Sequence, residues 1–210
     1  MDFLTMVLLL SQAKNEAQEL YTKMQEKLRT AKTAQFTFKS TLEKPDEKWE
    51  GTVWLAEGNR ACVEMTRHRA QNPYSLTLVC DGKQLHWSNG ARKAVAKAPD
   101  TFNADFVALF AKIGAVEDRL EDLFRGRHDK LGRFEASDFA MGAQEIRFTV
   151  KVTGRGGGMD AKLWIDPATH LPLKRTASVK EQPDQVLKEE YSDWKIGEPT
   201  DDAKFEVPKE

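Results

Sequence analysis

The fold is decided by the stretch LWIDPATHLPL at residues 163–173, which leads on to YSDWKI at 191–196. Upstream, IRFTVKV at 146–152 alternates apolar and polar residues, the pattern of a strand with one buried face. Glycines at 154 and 156–158 then favour a hairpin loop, and Asp166-Pro167 starts a second turn. On the returning strand, one face is expected to carry Leu171, Leu173, Ala177 and Val179. The segment therefore predicts consecutive antiparallel strands.

These residues also carry a family resemblance. The stretch 163–173, the YSDWKI segment and residues 202–208 resemble the end of the LolA-like proteins, periplasmic carriers and receptors of lipoproteins. The segment LVCDGKQLHW at 78–87 is similar to that family's unit of strand, Asp-Gly turn and strand. The resemblance extends over about residues 15–208, and it implies an unclosed barrel with helices as a lid.

Helical spacing occurs in two regions. From 14 to 32, apolar residues recur at steps of three and four, which predicts an amphipathic helix. After Pro99-Asp100-Thr101, a broad apolar stripe predicts a central helix, and a further short helix is expected from Val116 to Phe124. A loop is expected from Arg125 to Arg133. The remaining segments alternate with a period of two.

The predicted fold class is α+β. We expect a strongly curved antiparallel sheet, an unclosed barrel of about nine to eleven strands, covered by the N-terminal helix and the central helical insertion. Residues 14–210 are expected to form one LolA-like domain. Residues 1–13 are a candidate signal peptide, because FLTMVLLL is too short to span a bilayer and precedes small residues. No Lys or Arg precedes that run, so a misplaced start or a hydrophobic lead into the first helix stays open.

The resemblance implies a noncatalytic carrier, exported to the periplasm or cell envelope, that binds acyl chains of lipoproteins or lipids. A curved sheet under straight helices leaves room for an apolar pocket, for which we expect about 300 Å³ or more and mainly aromatic and aliphatic walls. The same side chains would serve equally as a dry core. The candidate lipid-binding residues are Leu20, Met24, Phe36, Phe38, Trp54, Trp87, Phe102, Phe106, Leu109, Phe110, Ile113 and Trp164.

Charge and motifs argue against several other classes. Lys+Arg 32 against Asp+Glu 33 gives a formal net charge of −1, which offers no footprint for nucleic acid. The four histidines lack metal-ligand spacing, and no hydrolase elbow surrounds Ser88. We therefore expect no metal, no cofactor, no catalytic residue and no transmembrane span in the mature chain. A monomer is expected.

The two cysteines test the predicted strand register. If Ala61, Val63 and Met65 face the same side as Cys80, then Cys62 faces the other side and a direct disulfide fails. A bulge would restore the bridge. The sequence favours two free thiols.

Two other classes of function remain as alternatives. Envelope sensor or regulatory modules of this architecture bind a partner protein instead of carrying cargo, so an envelope protein partner is the second hypothesis. An enzyme acting on an acylated substrate is the third. Lipid that co-purifies with the protein would favour the carrier.

Overall fold

The computed structural model describes residues 3–43, 46–68, 73–89, 92–115, 134–152 and 158–207. Two α-helices, eleven strands and one 3-10 helix lie within these residues. In chain order they are α1 (Phe3–Thr30), β1 (Thr33–Leu42), β2 (Glu47–Ala56), β3 (Arg60–His68), β4 (Tyr74–Asp81), β5 (Gln84–Ser88), β6 (Lys93–Lys97), α2 (Phe102–Ile113), β7 (Phe134–Met141), β8 (Ile146–Val152), β9 (Gly158–Ile165), β10 (Pro172–Val179), β11 (Gln182–Ile196) and η1 (Asp202–Phe205).

All eleven strands form one antiparallel sheet with the order β6-β5-β4-β3-β2-β1-β11-β10-β9-β8-β7. The sheet is thus two meanders, β1–β6 and β7–β11, joined by the pairing of β1 with β11. The edge strands β6 and β7 do not pair, so the barrel is not closed. Because α2 lies between β6 and β7 in the chain, it connects the two free edges. This confirms the predicted fold class, including both helical regions.

The turns follow from local chemistry. The Asp81 carboxylate accepts hydrogen bonds from the backbone N–H groups of Lys83 and Gln84 at 2.8 and 2.7 Å, and Gly82 takes a φ of 94°. The Asp166 carboxylate accepts in the same way from Ala168 and Thr169. An Asp side chain that bonds two or three residues ahead stabilises a reversal. Both turns predicted from the sequence are therefore present.

The strand register confirms most of the predicted alternation. Val53, Val63 and Leu78 are consecutive cross-strand partners and all belong to the main core. Leu173 is an exception, because its side chain is 48% exposed instead of facing the core. The pairing of β10 with β9 shifts between Pro172 and Lys174, and such an irregularity reverses the side to which a residue points.

Several predictions concern the start of the first helix or residues outside the described ranges. The first helix begins at Phe3 and not near residue 14, so the apolar run at 3–10 continues directly into α1. The candidate signal peptide remains a prediction. The short helix from Val116 to Phe124 and the loop from Arg125 to Arg133 lie outside the described residues. The hairpin of β8 and β9 is present, and its loop at 153–157 also lies outside them.

Candidate functional site

The candidate site is the layer between the two helices and the sheet, here called the covered face. The side of α2 toward the sheet is almost wholly apolar, with Phe102, Phe106, Leu109, Phe110 and Ile113 all buried. From α1, Ala17, Tyr21, Met24 and Leu28 are buried at steps of three and four residues, as one helical stripe requires. Both stripes join the sheet in one continuous core.

Most of the predicted lining residues lie in this layer. Leu20 is partly buried and packs against the core, and nine others are core members: Met24, Phe36, Phe38, Trp87, Phe102, Phe106, Leu109, Phe110 and Ile113. The structure brings these residues together as one surface. Their role in binding lipid stays a prediction.

Trp54 and Trp164 do not belong to the covered face, so the structure does not bring them together with the other predicted lining residues. Trp54 packs on the opposite side of the sheet with Cys62, Val79 and Phe205. Trp164 lies on β9 between the core residues Leu163 and Ile165, and the Lys174 ammonium sits 4.5 Å from its ring centroid. Successive side chains of a strand point to opposite faces, so each tryptophan is outside because its neighbours are inside.

The aromatic residues of the covered face are in mutual contact. The Phe36 ring centroid is 5.0 Å from that of Phe110 and 4.3 Å from that of Trp194, against which it stacks. The Phe110 ring also lies edge-on to Tyr191 at 5.2 Å. These contacts close the centre of the layer, so a guest would enter only if α2 moved away from the sheet.

A cavity is present at one side of the layer, between α1, α2 and β7. Its volume is about 380 Å³, and its walls include Tyr21, Phe134 and Phe139. Its size meets the expectation from the sequence. The expected apolar wall is not found there, because five of its lining residues are polar or charged: Gln18, Thr22, Gln25, Lys112 and Glu135.

A buried polar cluster, which the sequence reasoning missed, fixes the end of α2 to the sheet. Arg175 and Glu189 are direct cross-strand partners on β10 and β11, and each is only 1% exposed. One Glu189 carboxylate oxygen accepts from the Ser40 hydroxyl at 3.0 Å and the Ala115 N–H at 2.9 Å. The other accepts from the Tyr191 hydroxyl at 2.6 Å. Burial raises the pKa of Tyr191 well above its ordinary value, and the adjacent Glu189 charge acts in the same direction.

Arg175 completes this attachment. Its Nη2 donates to the Ala111 carbonyl at 2.7 Å, in the last turn of α2, where a cation also complements the helix dipole. Gly114 follows the helix with φ 81° and ψ −160°, a region essentially restricted to glycine. A Cβ there would lie 1.7 Å from the Glu189 carboxylate. The sequence of α2 thus ends in a glycine because the carboxylate occupies the space beside it.

Parity along the strands was the signal for both charged residues. Ala177 and Tyr191 are buried, and Arg175 and Glu189 each lie two residues before one of them. Residues two apart on a strand share a face, so this parity would have placed both charges inside.

The described residues also bear on metal and membrane functions. In this part of the chain, no three His, Cys, Asp or Glu side chains come together as a metal site would need. None of its helices combines the length and apolar character needed to cross a membrane.

Cys62 and Cys80 are both free and buried, which confirms the parity argument. Cys80 belongs to the covered face, whereas Cys62 lies on the opposite side, in the cluster that contains Phe205. Burial, followed by the charge of Glu64, raises the pKa of Cys62 to about 12.

Comparison with known proteins gives one family match and several similar folds. The family model described as "Predicted periplasmic protein (DUF2092)" matches residues 17–209. No curated protein matches the chain significantly. MucB, in the MucA/MucB complex of Pseudomonas aeruginosa, is 12% identical with a TM-score of 0.45; the match covers 92% of this chain and 61% of that chain. This chain therefore spans about three fifths of that protein's length.

Two similar structures are matched over nearly their whole length. A LolA superfamily protein from Nitrosomonas europaea is 11% identical, with 91% of this chain and 97% of that chain covered and a TM-score of 0.39. A putative outer membrane lipoprotein-sorting protein domain from Vibrio parahaemolyticus is also 11% identical, with the same coverages and a TM-score of 0.44. At such identities the likeness concerns the fold alone.

Proposed function

We propose that this chain, which belongs to the DUF2092 family of predicted periplasmic proteins, is a noncatalytic binding protein. It takes up acyl chains on its covered face. The observation that supports this proposal most is the composition of the contact between α2 and the sheet. Seven residues of α2 are buried, and all are apolar. Because these side chains carry no polar group, an acyl chain could replace the sheet as their neighbour without leaving a hydrogen-bonding group of theirs unsatisfied.

The energetics are sufficient for such a guest. Each buried methylene contributes about 0.8 kcal/mol, so one chain of sixteen carbons has a gross value on the order of 10 kcal/mol. Separation of α2 from the sheet opposes this gain, because Phe110 must leave Phe36 and Tyr191. Two or more chains would exceed that cost more easily than one.

The connections of α2 favour it as the moving element. In chain order it lies between the two edge strands, β6 and β7, and not within either meander. Hydrogen bonds attach α2 at both ends. Ala111 and Ala115 bond to Arg175 and Glu189 at its C-terminal end. At its N-terminal end, Asn103 bonds to Ala56, Asn59 and Arg60. Release of the Asn103 hydrogen bonds would free the Phe102 end of α2 while its other end stayed attached to Arg175 and Glu189.

Mass spectrometry of the exported protein tests this proposal. The protein is purified from a bacterial envelope without detergent, extracted with organic solvent, and its acyl-bearing molecules are counted per chain. We expect near-stoichiometric acyl content in the wild type and little in Leu109→Asp, which places a charge on the covered face. Val95→Asp is the matched control, because Val95 is 50% exposed on the edge strand β6. Leu109→Trp adds volume without charge and is used if the aspartate variant does not fold.

A second candidate function is binding of a partner protein, and the closed centre of the layer is the observation that favours it. In that case the covered face serves as a core, and recognition uses the outer surface. The same preparation separates the two functions. Absence of acyl molecules from folded wild-type protein, together with a stoichiometric complex with one identified envelope protein, would replace the carrier by the sensor.

A further inference from the structure

Among the buried polar atoms of the covered face that have no hydrogen-bond partner within the described structure, three belong to Arg175 and Tyr21. They are Nε and Nη1 of Arg175 and the hydroxyl of Tyr21. Arg175 is 1% exposed and Tyr21 is 4% exposed, so bulk water does not reach either side chain. A buried donor without a partner destabilises a folded protein, and such a group in a native structure calls for an explanation.

These groups belong to one neighbourhood below α2. The Arg175 guanidinium carbon lies 6.0 Å from the Phe110 ring centroid, within the aromatic layer. Tyr21 approaches from α1, and its ring lies 5.0 Å from Phe139 and 5.1 Å from Phe148. Burial raises the pKa of the Tyr21 phenol, and the nearby Arg175 charge acts in the opposite direction. On the sheet, Phe148 lies opposite Ala161, and Ala161 lies opposite Ala177, two residues from Arg175 on β10. The unused donors of Tyr21 and Arg175 therefore face adjacent parts of the same apolar layer.

The local charge decides which chemistry fits these donors. Arg175 already has an opposite charge beside it, because Glu189 is its direct partner on the next strand. A further anion, such as a fatty acid carboxylate, would leave this buried cluster with a net negative charge, which is expensive in a low-dielectric interior. A neutral acceptor satisfies the same donors and leaves the charges balanced.

We propose that Arg175 and Tyr21 form a head-group site for an uncharged carbonyl, namely the ester linkage at the head of an acyl chain. The guanidinium donates through Nε or Nη1, the phenol donates through its hydroxyl, and the chain extends along the aromatic residues of the covered face. This inference rests on the proposed function and adds the class of cargo: neutral acyl esters, in preference to free fatty acids.

A matched pair of probes tests the inference. The first is 1-palmitoylglycerol, and the second is 1-hexadecylglycerol, an ether with the same chain length and no carbonyl. Affinities are measured by isothermal titration with the full chain, with palmitate as the anionic comparison. Because a hydrogen bond from a charged donor is worth about tenfold or more in affinity, we expect the ester to bind at least about tenfold more tightly than the ether. Palmitate is expected to bind more weakly than the ester.

Two variants test whether Arg175 and Tyr21 cause the preference for the ester over the ether. Arg175→Met should bring the ester down to the affinity of the ether, whereas Lys174→Met, at the exposed neighbouring position, should leave the preference unchanged. Tyr21→Phe removes only a hydroxyl that has no partner, so it should fold normally and lower ester affinity by about two- to tenfold without changing ether affinity. It serves as the decisive variant if Arg175→Met does not fold.

The outcomes separate this inference from the proposed function. Equal wild-type affinities for ester and ether, tighter binding of palmitate, or an ester preference that survives both variants would overturn the head-group site and leave the carrier intact. Ordered water molecules that stay on these donors in a crystal structure of the ester complex would do the same. Failure of all three probes to bind would overturn the carrier itself.

Discussion

The two meanders of the sheet present different chemistry to the same helices. The inner face of β1–β5 is mainly apolar, with Phe36, Val53 and Leu78 in its centre. Its buried polar side chains, Ser40 and Arg67, lie toward the ends of β1 and β3. The inner face of β10 and β11 carries Arg175, Glu189 and Tyr191, all buried. An apolar surface accepts different neighbours with little change in energy, whereas a hydrogen-bonded charge accepts only one arrangement. The first meander, here called the apolar meander, therefore supplies most of the contact surface and holds the start of α2 through Asn103. The second, here called the polar meander, fixes the end of α2 through Arg175 and Glu189.

The largest effect is expected from the apolar meander. Phe36→Ala should lower the free energy of unfolding by about 3–5 kcal/mol, the range for a buried phenylalanine whose loss leaves a cavity. Phe36 contacts Phe110, Tyr191 and Trp194, so both meanders and α2 lose packing. Urea denaturation measures the change. Phe205→Ala is the control on the outer side of the sheet, and an equal or larger loss there would contradict the central position of Phe36.

The junction of α2 with the polar meander is tested at Gly114. Gly114→Ala should lower the free energy of unfolding by about 3 kcal/mol, because the new Cβ combines backbone strain with contact to the Glu189 carboxylate. Gly58→Ala is the matched control: φ is 76°, but no atom lies within 4 Å of the added Cβ. It should lose about 1 kcal/mol. Similar losses in the two variants would show that the carboxylate does not occupy the space beside Gly114.

The charge of the polar meander is tested at Glu189. Glu189→Gln keeps the shape but removes the charge that accepts hydrogen bonds from Ser40, Ala115 and Tyr191, so we expect a loss of about 2–3 kcal/mol. Glu190→Gln changes the exposed neighbour and should stay within about 0.5 kcal/mol of the wild type. Thermal and urea unfolding of both variants measure the difference. An unchanged Glu189→Gln protein would remove the distinction between the two meanders.

The smallest expected effect is a change in thiol reactivity, which distinguishes the two faces of the apolar meander. Both thiols should react slowly with a water-soluble disulfide reagent even at pH 9, because both are buried and the pKa of Cys62 is about 12. Phe205→Ala removes a large side chain from the cluster around Cys62 and should release one fast-reacting thiol per chain. Cys62→Ser in that background should abolish the fast reaction. If Cys80 reacted instead, the assignment of the cysteines to opposite faces would be wrong.

Much of this architecture was predictable, because strand alternation is a local property. It placed Phe36 and Phe38 on one face, and it separated Cys62 from Cys80 without knowledge of the sheet order. The family match agrees with the expected envelope location, and the open sheet with its helical cover agrees with the LolA-like resemblance.

The errors have physical causes of two kinds. Trp54 and Trp164 were assigned to the covered face because they are large and aromatic, although their apolar neighbours occupy that face. Leu173 was misplaced because a shift in strand pairing leaves no mark in the sequence. Arg175 and Glu189 were overlooked because charged residues are seldom buried, and only the approach of α2 supplies their backbone partners.

Quenching of tryptophan fluorescence by a brominated acyl chain is the most direct test of the covered face as a binding surface. Trp49, Trp87 and Trp194 pack into it, whereas Trp54 and Trp164 lie outside. With a dibrominated monoacylglycerol, we expect strong quenching in the Trp54→Phe/Trp164→Phe protein. Quenching should be nearly absent when Trp49, Trp87 and Trp194 are replaced by Phe. Equal quenching of the two proteins, or quenching confined to the outer tryptophans, would contradict acyl binding between the helices and the sheet.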